Sequence, residues 1–111
     1  MGCLFCKIIA GGIPSKKVYE DEKVFAFHDI NPQAEIHVLV VSKRHICCAN
    51  AIDASNSGAV AAVFEAIPKI ANKLGIDNYR VINNCGEKAG QSVMHLHFHL
   101  LNGEKLGAKI V

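Results

Sequence analysis

No run of apolar residues in this 111-residue sequence is long enough to span a bilayer, so a membrane helix is not expected. Nor does one charge dominate. Twelve Lys and Arg stand against ten Asp and Glu, a net charge of +2 with histidine neutral. The cations are scattered, which argues against nucleic-acid binding but leaves room for one small anionic ligand. Repeats, low-complexity tracts and linkers are absent, and a single domain over residues 1–111 is expected. The opening "MGCLFCKIIAGG" lacks the layout of a secretory signal, and the five cysteines are an odd number. A cytoplasmic protein with reduced thiols is expected rather than a disulfide framework.

Histidine, by contrast, is concentrated. Three of the six histidines lie in "MHLHFHLL", at positions 95, 97 and 99. Alternation with Leu96, Phe98 and Leu100 is the pattern of a half-buried strand, in which residues two apart share a face. With a rise of about 3.4 Å per residue, successive histidines would stand roughly 7 Å apart. Such a row can bind metal, perform nucleophilic or acid–base chemistry, or simply solvate a sheet.

Elsewhere the patterning gives about five strands and two helices. "FCKIIA" reads as a short helix closed by Gly11 and Gly12. "KVYED", "KVFAFHD", "IHVLVVS", "YRVINN" and "VMHLHFHLL" read as strands, with "IHVLVVS" central. Gly58 to Leu74 forms one long helix. Its core stripe is Val60, Val63, Phe64, Ile67, Ile70, Ala71 and Leu74, and Gly75 caps it. Pro68 should kink or split it. Ala59, Ala62 and Ala66 form a second stripe, suited to close packing against another copy of the chain. The class is α+β: an antiparallel sheet with helices to one side.

Several residues carry chemistry. In "GEKAGQSVMH", amides around Gly90, Gln91 and Ser92 can form an anion nest, or the segment is only a hairpin loop. If a phosphorus centre sits there, His97 is a competent nucleophile. His99 can stabilise developing charge, and Ser92 can supply or relay a proton to the leaving group. Asp29, ending a strand in "FAFHDINP", can accept from both hydroxyls of a ribose, or can close an Asx turn. Phe5, Phe27 and Ile30 can flank a base or fill core. Cys3 and Cys6 form a C-x-x-C without the preceding strand of a redox motif. For zinc it needs two more ligands, for which His45 and His95 are candidates. Cys47, Cys48 and Cys85 are expected to be small buried residues. A catalytic zinc held by all three triad histidines is disfavoured, because that spacing splays the ligands.

"HLHFHLL" fits the pattern of the histidine triad family. "LFCKIIAGGIPSKKVYEDEKVFAFHDINPQAEIHVLVVSKRHI" resembles the family's N-terminal half and "YRVINNCGEKAGQSVMHLHFHLL" its C-terminal half. The branch it most resembles is the histidine triad nucleotide-binding proteins, which are nucleoside phosphoramidate hydrolases. The resemblance implies a five-stranded antiparallel sheet, one short N-terminal and one long helix, and a homodimer. It implies that His97 is the nucleophile that takes up a nucleoside monophosphate and that His99 binds its phosphate. Asp29 would bind the ribose. Phe5, Phe27, His28 and Ile30 would surround base and sugar, and Asn84, Gly90, Gln91 and Ser92 the phosphate. Members with an N-terminal C-x-x-C imply a structural zinc on Cys3, Cys6, His45 and His95. The implied substrates are purine nucleoside monophosphates and their phosphoramidate or acyl-phosphate derivatives. A dinucleoside polyphosphate hydrolase, or a nucleotide-binding regulatory module with incidental hydrolysis, is the alternative. The tail "NGEKLGAKIV" lacks the Trp and Pro associated with the nucleotide-binding branch.

Overall fold

The computed structural model describes residues 2–108 and Ile110. Among these, helix α1 (Leu4–Ile9) is followed by strands β1 (Lys17–Glu20), β2 (Val24–His28) and β3 (Ile36–Ser42). Helix α2 (Ser57–Leu74) leads to β4 (Arg80–Ile82) and β5 (His97–Asn102). The strands form one antiparallel sheet in the order β1-β2-β3-β5-β4. "IHVLVVS" is therefore the central strand, as its apolar run predicts.

Local chemistry fixes the ends of these elements. Asp21 Oδ1 accepts from the amides of Lys23 and Val24, both at 2.8 Å, and so forms the β1–β2 turn. The Cys3 sulfur accepts from the Cys6 amide at 3.3 Å and caps α1. Gly75, at φ +73°, turns the chain out of α2 in the left-handed region that glycine favours.

The two faces of the sheet bury different things. Val24, Ala26, Val38, Val40, Phe98 and Leu100 pack with Val63, Ala66, Ile67 and Ile70 of α2. Phe25, Phe27, Leu39 and Val41 pack with Phe5 and Ile8 of α1. The helices therefore lie on opposite faces, not on one side. The central strand is apolar at both parities because both of its faces are covered.

Four expectations on individual elements change. Helix α2 runs unbroken through Pro68, whose exposed position leaves the freed Phe64 carbonyl near water. Ala66 is 2% exposed and belongs to the core, with Ala59 and Ala62 packed against its edge, so the alanine stripe is not a separate face. Phe64 is 48% exposed and only touches the core, its ring edge-on to Phe98 at 5.3 Å. β5 starts at His97 rather than Val93, because the preceding residues bond elsewhere. Leu96 N–H donates to Ile46 O (2.6 Å) and His95 N–H to Val93 O (2.9 Å).

Candidate active site and metal centre

The β3–β5 register pairs Leu39 with His99 and Val41 with His97. His37, two residues before Leu39, shares its parity and reaches the same face. Sequence reasoning missed His37. The signal was one imidazole in an apolar strand, in phase with Leu39 and Val41. The rings of His97 and His99 stand 5.2 Å apart, and those of His37 and His99 5.1 Å.

Hydrogen-bond partners fix where each imidazole carries its proton. A carbonyl oxygen only accepts, so His97 Nδ1–H donates to His95 O at 2.7 Å. Neutral His97 therefore presents a bare Nε2 lone pair. The Gln33 amide donates to His37 Nδ1 at 2.9 Å, which leaves the proton of neutral His37 on Nε2. That proton is donated to His99 Nδ1 at 2.8 Å, so neutral His99 carries its own proton on Nε2. The row thus offers a nucleophilic nitrogen beside a hydrogen-bond donor. Asn83, also missed from sequence, donates through Nδ2 to His97 O at 2.8 Å.

Electrostatics favours the neutral form of His99 and His37. Burial pushes His99 down from 6.5 to about 4, helped by His97 and His37 and opposed by the Asp29 charge. Burial also lowers His37, against the same carboxylate. Asp29 Oδ2 lies 3.4 Å from His37 Nε2, while Oδ1 accepts from the Asn31 amide at 2.8 Å. The Asx turn and the orientation toward the histidines coexist, one on each oxygen.

Other expected site residues fall into three groups. His28, Asp29 and Ile30 line a cavity of about 570 Å³ with Lys16, Pro32, Glu35 and His37, and Ile30 is 91% exposed there. Phe5 and Phe27 are buried in the α1-side core, 5.5 Å apart, and Phe5 stands edge-on to His97 at 5.0 Å. In the loop before β5, Gly90 has φ +98° and its Cα-substituent position lies 3.2 Å from Asn84 Nδ2. A side chain there would be strained and would press on Asn84. The Gln91 amide is consumed inside the loop: Oε1 accepts from Gly86 N–H (2.8 Å), and Nε2 donates to Cys47 O (2.8 Å) and Val93 O (3.0 Å). Ser92 is exposed and lines a cavity of about 720 Å³ that also borders Cys3, Cys6 and His45.

Those last three residues and His95 bring one ligand atom each within 4.8 Å of the others. His95 is fully buried, and its Nε2–H donates to Ser42 O at 2.8 Å. Its Nδ1 is thereby left bare and faces Cys3 Sγ (3.3 Å), Cys6 Sγ (3.6 Å) and His45 Nδ1 (3.2 Å). A tetrahedral ion bonded to two sulfurs and two nitrogens holds its ligand atoms roughly 3.3–3.8 Å apart, so the donor set fits zinc. Asp29, His37 and His99 form a second cluster of the same tightness. There the Gln33 amide keeps the proton on His37 Nε2, the atom that would have to bind the ion, so this group is a proton-donor chain rather than a ligand set. Cys47 is exposed and Cys48 and Cys85 are half-buried, not the buried residues expected. All five thiols are free.

Residues 10–106 match the family model described as the HIT domain. The chain belongs to the HIT family. An uncharacterized HIT-like protein of Buchnera aphidicola subsp. Baizongia pistaciae is 47% identical over 93% of this chain and 94% of its own. A solved HIT family hydrolase from Clostridium thermocellum has a TM-score of 0.95 at 48% identity, over 99% of this chain and 97% of that one. A histidine triad nucleotide-binding protein from Candida albicans has a TM-score of 0.81 at 37% identity, over 89% and 73%. HIT structures thus share the five-stranded sheet and both helices. Among the described residues no helix is long and apolar enough to cross a membrane.

Proposed function

We propose that this HIT protein hydrolyses nucleoside 5′-phosphoramidates at the α-phosphorus, through a nucleotidyl-histidine on His97. The observation that carries this reading is the hydrogen bond from His97 Nδ1–H to the His95 carbonyl, which leaves Nε2 with a bare lone pair beside His99. In the first step Nε2 forms a bond to phosphorus and the P–N bond breaks. The leaving nitrogen takes a proton, supplied or relayed by Ser92. Water then attacks the nucleotidyl-imidazole, releasing nucleoside monophosphate and restoring His97. His99 Nε2–H would donate to the phosphoryl oxygens as charge builds there. Asp29 would receive the ribose hydroxyls in the cavity that it shares with His28 and Ile30. Phe5 and Phe27 would back the base and sugar, and Asn84, Gly90, Gln91 and Ser92 would shape the phosphate side. The words hydrolase and nucleotide-binding, used of the Clostridium and Candida proteins, agree with this reading.

The reading includes a structural zinc on Cys3, Cys6, His45 and His95. Four protein ligands leave it no open position, so it would hold α1 to the sheet rather than act on substrate. It also treats residues 1–111 as one domain, in a cytoplasmic homodimer with the short outer strand β4 at the interface. The test is single-turnover reaction with an adenosine phosphoramidate. His97→Ala should lose nucleotidyl-enzyme formation while still binding AMP. Normal turnover by that variant would exclude the mechanism. Binding of AMP without turnover by the parent protein would favour a regulatory module instead.

A further inference from the structure

We propose that the metal centre also positions the nucleophile, with His95 and Phe5 as the positioning residues that convey metal occupancy to His97. This inference rests on the function proposed above and on zinc at the four-residue centre.

His95 is pinned from both sides. Its ring faces the cysteines and His45 through Nδ1 and the Ser42 carbonyl through Nε2, and its own carbonyl receives the His97 Nδ1–H. It also lies just outside β5, so no ladder hydrogen bonds hold its backbone. Its peptide plane is held by Leu96 N–H to Ile46 O (2.6 Å), and the ring with what it binds adds the restraint that the metal can change. Metal ligands commonly depend on outer partners for their orientation. Here the dependence also runs outward, from the ligand to the catalytic group.

Phe5 supplies a second path. It lies between Cys3 and Cys6 in a helix of six residues, too short to be stable alone. Its ring stands at 89° to His97 with centroids 5.0 Å apart, and 5.9 Å from His95. A metal joining both cysteines to His45 and His95 would press Phe5 against the nucleophile. Without it, α1 is held by the packing of Phe5 and Ile8 in the core, and the His97 ring loses one of its restraints. None of the four ligands lines the cavity around Asp29, so the ribose contacts proposed there do not depend directly on the metal.

The experiment compares zinc-loaded and chelator-stripped protein, both shown to be folded by circular dichroism. Two quantities are read: the single-turnover rate of nucleotidyl-enzyme formation, and solvent exchange of the His97 Nδ1–H by ¹⁵N NMR. At saturating phosphoramidate, so that any change in nucleotide affinity does not enter, stripping should slow nucleotidylation by about 10–100-fold and speed proton exchange. Unchanged nucleotidylation and exchange in the folded metal-free protein would overturn the proposal. If stripping unfolds the chain, Phe5→Leu with one zinc bound takes its place, read at saturating phosphoramidate so that lost base contacts do not enter. The same two changes support the coupling, and parent-like values refute it. If even loaded protein forms no nucleotidyl-enzyme, the proposed function fails, and the exchange of the His97 proton alone decides the coupling.

Discussion

Replacing Gln91 by alanine tests whether the loop before β5 is a prearranged cradle. The side chain is 2% exposed and makes three hydrogen bonds, to Gly86 N–H, Cys47 O and Val93 O. Each bond contributes a net 0.5–1.5 kcal/mol, so their loss should cost roughly 2–4 kcal/mol. The upper part of that range applies if the three abandoned backbone groups stay dry. The neighbouring Glu87 to Gly90 turn is exposed, so water can reach some of them, which favours the lower part. With a urea slope of about 2 kcal/mol/M, the unfolding midpoint should fall by about 1–2 M. Gln91→Glu sharpens the test. It keeps an acceptor for Gly86 but turns a carboxylate toward two carbonyl oxygens, and should be at least as damaging. A Gln91→Ala midpoint indistinguishable from the parent would refute the claim that this amide organises the loop.

Three further outcomes are expected. If Asp29 binds both ribose hydroxyls, 2′-deoxy-AMP should bind roughly tenfold to a hundredfold more weakly than AMP, the cost of one hydrogen bond to a charged group; equal affinities by calorimetry would remove Asp29 from that role. Because the folded-state value of His99 lies below 6.5, the unfolded chain binds its proton first. Stability should then be full above pH 6.5 and decline toward pH 4, by up to about 3 kcal/mol from His99 alone; urea midpoints unchanged between pH 7 and pH 4.5 would contradict this. Light scattering at micromolar concentration should give twice 12.0 kDa. A mass near 12.0 kDa would dispose of the dimer.

Much of this was legible in the residues themselves. The alternation of 95–100 separates histidines from apolar residues, and the structure sends them to opposite faces as period-2 geometry requires. The C-x-x-C and the two spare histidines come together. Three things were not legible. His37 acquires meaning only from the β3–β5 register, which no local pattern specifies. The division of helices between two faces is hidden in β2 and β3, where both parities are apolar and neither face is marked as the solvent side. The boundary of β5 is set by a long-range bond, Leu96 N–H to Ile46 O, rather than by the periodicity, which continues unchanged through it.

The partition of β5 has a consequence for folding. A slip of one residue against β3 would drive His97 and His99 into the packing under α2 and present Phe98 where His97 belongs. Far-ultraviolet spectra would hardly register the error, since the sheet content would be nearly the same. Under the proposed function, recovered nucleotidylation would register it at once. For this chain, refolding yield is best counted in active sites: an enzyme assay reports the alignment of the central strands more sharply than any measure of secondary structure.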